Sequence, residues 1–340
     1  MKKSVLFICA DQWRWDCFGF MGHKNAHTPN IDKLVSRSTA FRKHFTGIVP
    51  CGPARTTMLT GLYPFIHRSV CNGTPLDNRF TNLPLEARKL GYQPSLYGYT
   101  DTSYDPRGLE DNDPRLFTYE SPMNGFDPVC LLPEGNPEPW AEHLRQHGYE
   151  VGNSHDLYSS KTPKKGEGFV YKAWEIPTEL SDTSFLADRA AADLQNAKEP
   201  FFMHVSFLRP HPPMFVSEPW HSLIDPNSID PPIARKTKQE MADHHPVLKN
   251  MMAKYDEKNS YPMEINFPEL TNQDISRIQA VYLGMCAEVD FNIGKIRSFS
   301  GIKKGIENTN YLIRTKNKKI ILTIFEKRVQ KKDLPFFMNL

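Results

Sequence analysis

Three features of the sequence predict an α/β fold with a mostly parallel sheet flanked by helices. "SVLFICA", residues 4–10, is a continuous apolar run of the kind found in a strand buried on both faces. Strand-like and helix-like segments alternate after it. Polar residues suited to chemistry follow directly on the apolar runs, at the carboxyl-end edge where open parallel sheets bind ligands. With 340 residues and 39% hydrophobic content, the chain can bury a substantial core, as one large domain or two smaller ones.

The first strand ends at Asp11-Gln12. In "HTPNIDKLVSRS", Thr28-Pro29-Asn30 is a helix-start signal, and Ile31, Leu34 and Val35 follow at helical spacing. "TAFRKHFTG", residues 39–47, predicts a second strand, with a helix opening at "CGPARTTMLTG" behind it. "LPLEARKLGYQPSLYGY" predicts a helix ended near Gly91 and a third strand. From about Thr100 to Thr178 the chain is rich in Pro, Asn, Asp and Gly with little periodicity, which predicts a loop-rich insertion. "DTSFLADRAAADLQNA" predicts a helix capped by Asp182, and "PFFMHVSFLRP" a strand ending at Arg209. After a second Pro-rich stretch, Ile275, Ile278, Tyr282, Met285, Val289, Ile293 and Ile296 share one face of a long amphipathic helix. No internal repeat is present.

The net charge of +3 gives no reason to expect nucleic acid or a membrane surface, and no apolar run reaches the roughly 18 residues of a membrane span. Six cysteines without a CxxC pair point to reduced thiols rather than a disulfide framework, and those other than Cys51 are assigned to the core. The start "MKKSVLFICADQW" mimics a signal peptide, but its apolar run is short and no small-residue cleavage site follows. A cytoplasmic protein is expected.

Three polar features fall at the predicted edge: Asp11-Gln12, Cys51, and Arg209 with His211. A hard oxygen ligand such as Asp11 suits a divalent cation. Cys51 before Pro53 lies at a helix N-terminus, where free N–H groups and the dipole favour an anion. Arg55, one turn in, adds a planar donor fork matched to sulfate or phosphate oxygens. Together they describe an oxyanion site beside a metal. Each has a plainer alternative: Cys51 a buried thiol, Asp11 a turn cap, His211 a surface-loop residue, Asn72 before Gly73 a turn, Tyr99 strand packing.

"CGPARTTMLTG" resembles the sulfatase signature, Cys-x-Pro-x-Arg followed by Thr-Gly, and "HTPNID" and "ADQ" resemble companion motifs of the alkaline-phosphatase-like superfamily. "NGTPLD", "GYTDTSYDPR" and "RPHPPM" are most similar to the branch of phosphonate monoester hydrolases and related arylsulfatases. The resemblance covers roughly Lys2 to Ile296 and implies a hydrolase of sulfate esters or phosphonate and phosphate esters. It implies that a formylglycine-generating enzyme converts Cys51 to formylglycine, which acts as nucleophile. It further implies that Asp11, Gln12 and position 51 hold a divalent metal (Ca, Mn or Mg), that Arg55 holds the nucleophile and the growing charge, and that His211 assists the leaving group. Asn72 and Tyr99 would line the substrate side. Asp101 stands where related sequences tend to carry a hydroxyl residue, either placing a charge near the substrate or serving as a solvated loop acid.

The sequence departs from the family after Ile296. No "Thr-Ser-Asp-His-Gly"-like motif, the family's second pair of metal ligands, follows the long helix. Asp243-His244 sits in a polar stretch unsuited to that role. Residues 297–340 carry +8 against −5 for the rest, so the chain divides into a catalytic-like domain, 1–296, and a divergent basic tail. Two expectations stand: an active hydrolase, or a pseudo-sulfatase truncated at its C-terminal portion, catalytically inactive and prone to association through an unpaired sheet edge.

Overall fold

A computed structural model describes residues 3–118, 120–159, 162–198, 200–232, 237–255, 264–299, 311–315 and 318–322. In chain order these carry β1 (Val5–Ala10), α1 (Pro29–Val35), α2 (Cys51–Thr60), α3 (Pro64–His67), α4 (Leu83–Lys89), β2 (Pro94–Gly98), β3 (Asp127–Leu131), α5 (Glu138–Gln146), α6 (Asp182–Asn196), β4 (Phe202–Phe207), α7 (Lys238–His244), α8 (Pro246–Tyr255), α9 (Asn272–Phe299), β5 (Tyr311–Thr315) and β6 (Lys318–Leu322). The main sheet is parallel in the order β1-β4-β2-β3.

β4 is the centre of the fold, and all six of its residues are buried. Its side chains alternate between two layers, as strand geometry requires. Met203, Val205 and Phe207 join Leu186, Ala187 and Ala190 of α6 and Val289, Ile293 and Ile296 of α9. Phe202 joins Phe7, Leu96, Leu59 of α2 and Ala87 of α4 on the other face. Each fully buried side chain of this size stabilises the fold by about 1.5–3 kcal/mol. His204 lies on the second face, stacked on Phe7 and Phe126 with ring centroids 4.4 and 5.4 Å away. Ser206 is next on that face, so a polar group in an apolar strand is turned towards α2.

α9 buries more than the stripe its periodicity predicts. Met285, Val289 and Ile296 are fully buried and Ile275 and Ile278 half-buried, while Glu288, Asp290 and Asn292 are buried as well. Asp290 accepts from the N–H groups of Asn30 and Ile31 and from Asn30 Nδ2, at 2.8–3.0 Å. The carboxylate satisfies the open first turn of α1 and ties "HTPNID" to the long helix.

Four expectations need correction. Residues 39–47 form no strand: Arg42, Lys43 and His44 interrupt the apolar alternation, and Phe41 and Phe45 remain exposed. The stretch 100–178 is not merely a loop-rich insertion, because it supplies β3 to the main sheet and α5 with a fully buried Trp140. The cap of α6 is Ser181, whose Oγ accepts from Ser184 N at 3.1 Å. Asp182, one residue inside, turns its carboxylate to Tyr158 Oη and Arg209 Nε. Cys17, Cys130 and Cys286 are buried as expected, but Cys9 is only half-buried and Cys71 is exposed. β5 and β6 pair antiparallel as a separate two-stranded sheet; the rest of the basic tail beyond residue 299 lies outside the described residues. Among the described residues, no helix is long and apolar enough to cross a membrane.

Candidate active site

The three loops that leave β1, β2 and β4 meet the N-terminus of α2 at the carboxyl-end edge of the sheet. Cys51 opens α2, half-buried. Gly52 follows because nothing larger fits: a Cβ there would lie 3.0 Å from the Asp101 carbonyl oxygen and 3.2 Å from Asn72 Oδ1. Asn72 Oδ1 accepts the Gly52 N–H at 2.9 Å and so serves one of the free donors of the helix start. In the next turn Thr57 Oγ1 donates to the Pro53 carbonyl and contacts His67 Nε2 at 2.9 Å.

Arg55 is buried and turned under the site. Its Nη2 donates to Asp11 Oδ2 at 2.9 Å, and its Nη1 to Ser206 Oγ at 2.8 Å and to the Tyr99 carbonyl at 3.3 Å. The guanidinium stands 4.2 Å from the centroid of the Tyr99 ring. Tyr99 Oη donates to the same Asp11 oxygen at 2.5 Å. Burial pushes the Asp11 carboxyl upward, but Arg55, His211 and Tyr99 outweigh it and hold the group below the usual carboxylate range. Burial likewise opposes the charge of Arg55, which Tyr99, Cys9 and Asp11 keep protonated.

Asp11, Arg55, Asn72 and Tyr99 are thus brought round Cys51. Tyr99, expected on the substrate side, is buried behind Asp11. Gln12 has an exposed side chain and a left-handed backbone, φ 58°, and its carbonyl accepts from Tyr282 Oη at 2.7 Å. His211 is half-buried on the loop after β4. Its Nδ1 lies 2.7 Å from the Pro212 carbonyl. A carbonyl only accepts, so Nδ1 carries a proton. The loop itself hangs on Arg209, whose Nη1 donates to the Pro213 carbonyl at 2.6 Å. Tyr158, Trp174 and Phe215 surround that guanidinium at 4.9–5.5 Å. Arg209 is therefore an anchor of the His211 loop and not a group at the edge.

The residues singled out as metal ligands do not by themselves fit a metal. Asp11 is the one carboxylate among them, and its Oδ2 is taken by a guanidinium and a phenol. Among the described residues, no group of three or more His, Cys, Asp or Glu is arranged to hold an ion, whereas calcium takes 6–8 oxygens. Asp243-His244 is exposed on α7.

One site residue escaped sequence reasoning, and a second was left between two readings. Ser206 was passed over as one position in an apolar run. Asp101 was weighed against a solvated loop acid but is 4% exposed, and burial raises its carboxyl to about 6 despite the opposing field of Arg55. Burial, together with Asp11 and Asp101, pushes the Cys51 thiol up to about 12.

Comparison with known proteins places the chain in a family. A family model described as sulfatase matches residues 3–298. The chain belongs to the sulfatase family. This sulfatase-family chain is 34% identical over 306 residues to the multifunctional alkaline phosphatase superfamily protein PehA of Trinickia caryophylli, covering 88% of the chain and 59% of that protein. Its fold matches the crystal structure of the phosphonate monoester hydrolase of Agrobacterium radiobacter with a TM-score of 0.79 and 39% identity, covering 88% of the chain and 59% of the other. The phosphonate monoester hydrolase SpPMH from Silicibacter pomeroyi matches equally well, with a TM-score of 0.79, 36% identity and coverage of 89% and 59%. The sulfatase-family chain thus spans somewhat over half the length of these relatives. A short stretch is also similar to a homoserine kinase of Rhizobium rhizogenes, 47% identical over 51 residues, 15% of this chain and 16% of that one.

Proposed function

We propose that the site serves hydrolysis of sulfate esters or of phosphonate and phosphate esters, with Cys51 converted to formylglycine by a formylglycine-generating enzyme. The observation that carries this reading is the setting of Cys51. It opens a helix above a buried Asp11–Arg55–Tyr99 network, with a thiol held neutral at physiological pH. A neutral thiol is a poor nucleophile. Formylglycine at position 51 supplies a hydrated carbonyl oxygen in its place.

The remaining chemistry belongs to the chain's own side chains. Arg55 and Tyr99 fix Asp11, and Asn72 fixes the turn that carries position 51, so the attacking atom is oriented before substrate arrives. His211, on the loop after β4 with a proton on Nδ1, is the candidate for proton exchange with the ester or leaving-group oxygen. Among the described residues, Asp11, Gln12 and Cys51 by themselves give no metal seat.

The test is mass spectrometry of the peptide containing residue 51 after expression with a formylglycine-generating enzyme, alongside turnover of an aryl sulfate and an aryl phosphonate. Conversion of Cys51 with turnover that Cys51→Ala abolishes supports the reading. Conversion without turnover, with and without added calcium, manganese or magnesium, refutes hydrolysis by this chain and leaves an inactive sulfatase-family protein.

A further inference from the structure

We propose that Asp101 sets the charge selectivity of the site, favouring oxyanions that carry one negative charge over those that carry two. The inference rests on the oxyanion reading above and assigns it a discriminating residue.

Asp101 follows β2 and is nine-tenths buried, and among the described residues its Oδ1 has no hydrogen-bond partner. Its carbonyl oxygen stands 3.0 Å from the place a Cβ on Gly52 would take, which packs residue 101 against the first turn of α2, beside Cys51. The flanking backbone is fixed. Thr100 Oγ1 donates to the Ser121 carbonyl at 3.0 Å and accepts from Met123 N at 2.7 Å, and Thr102 Oγ1 donates to the Thr100 carbonyl at 3.0 Å. Leu76 N donates to the Ser103 carbonyl at 3.1 Å. The loop therefore holds the backbone of Asp101 in place, and the field of its carboxylate reaches the Cys51 thiol.

Counting charge gives the consequence. Asp11 and Asp101 supply two carboxylates, and Arg55, already paired with Asp11, supplies one guanidinium. Among the described residues Asp101 makes no ion pair. An oxyanion arriving beside Cys51 meets a buried carboxylate that Arg55 and His211 favour from a distance but that no ion pair among the described residues neutralises. Each negative charge on the ligand is opposed separately, at about tenfold to a hundredfold in affinity for unit charges a few ångströms apart in a partly buried site. A doubly charged phosphate monoester is penalised once more than a sulfate monoester or a phosphodiester.

The test is titration calorimetry at alkaline pH with methyl sulfate, one charge, and methyl phosphate, two charges, on the full chain and its Asp101→Asn variant. Asn keeps the shape of the side chain and tolerates the left-handed backbone at this position, φ 52°, so the substitution removes the charge alone. Asp101→Ser, read in the same way, is a second uncharged variant should the first fail to fold. The expected result is that loss of the charge strengthens methyl phosphate binding about tenfold more than methyl sulfate binding. Binding of both ligands with equal gains, or with none, overturns the selectivity role and leaves the oxyanion site standing. Binding of neither ligand to any of the proteins overturns the oxyanion reading and the proposal together.

Discussion

Replacing Arg55 by Met tests whether Asp11 depends on its guanidinium. The two side chains are 5% and 9% exposed and bonded at 2.9 Å. Met keeps the length and apolar bulk but leaves a buried carboxylate with Tyr99 as its remaining partner, and removes the bond to Ser206 Oγ. Breaking a buried pair from one side costs about 3–5 kcal/mol, because the stranded charge keeps its desolvation penalty. The pH dependence has a defined sign. With Arg55 present the Asp11 carboxyl lies below the ordinary value of 3.8, so its contribution is present above that value and is lost as pH falls through the lower, folded one. Without Arg55, burial raises the folded value above 3.8. The penalty then applies at neutral pH and is relieved as pH falls and Asp11 takes up a proton. Urea unfolding should show the largest gap between the proteins near about pH 8, narrowing towards about pH 4. Combined with Asp11→Asn, Arg55→Met should show a coupling of about 2 kcal/mol. Additive losses, or a gap that does not change with pH, would refute the argument.

Other measurements address separate parts of the molecule. Gly98→Ala should yield little soluble protein, since a Cβ at φ 97° would stand 2.0 Å from the Ser206 carbonyl, and recovery of a normal unfolding midpoint would count against that contact. Trp140→Ala should cost about 3–5 kcal/mol in urea unfolding, because the indole is fully buried between Tyr158 and Trp174 and donates to the Leu180 carbonyl at 2.8 Å. Burial lowers His204 from 6.5 to about 3, so stability should fall as pH drops below the unfolded value. His204→Phe, which preserves the stack, should lose that part of the acid slope. Calcium, magnesium or manganese at about 1 mM should leave the unfolding midpoint of the Cys-containing chain unchanged; stabilisation above about 1 kcal/mol would reveal a metal seat among these residues.

The fold was legible where one physical signal dominated. β1 and β4 are unbroken apolar runs, and α9 keeps its helical period over many turns, so class and sheet direction followed. Residues 39–47 misled because two phenylalanines among cationic side chains imitate alternation without a partner strand to bury them. β3 was hidden because "DPVCL" is short, contains a proline and has three exposed residues, as suits its place at the end of the strand order. In the site, Cys51 and Arg55 stood out by spacing. The burial of Asp101 and the role of Ser206 depend on which loops converge, and neighbours in sequence carry no record of that. Asp182 was misplaced by one residue because Ser181 and Asp182 are both good caps, and the pull of buried Arg209 decided between them.

The position of β1 has a further consequence. Among the described residues it pairs with β4 alone, and its burial is partial where that of β4 is complete. The seam beside β1 is therefore a growth front of the sheet. A parallel strand laid there in register would run about 4.8 Å away and bring its C-terminal residues abreast of Asp11. Among the described residues Asp11 is flanked by β4 on one side, so a further strand would approach it along the sheet from this seam.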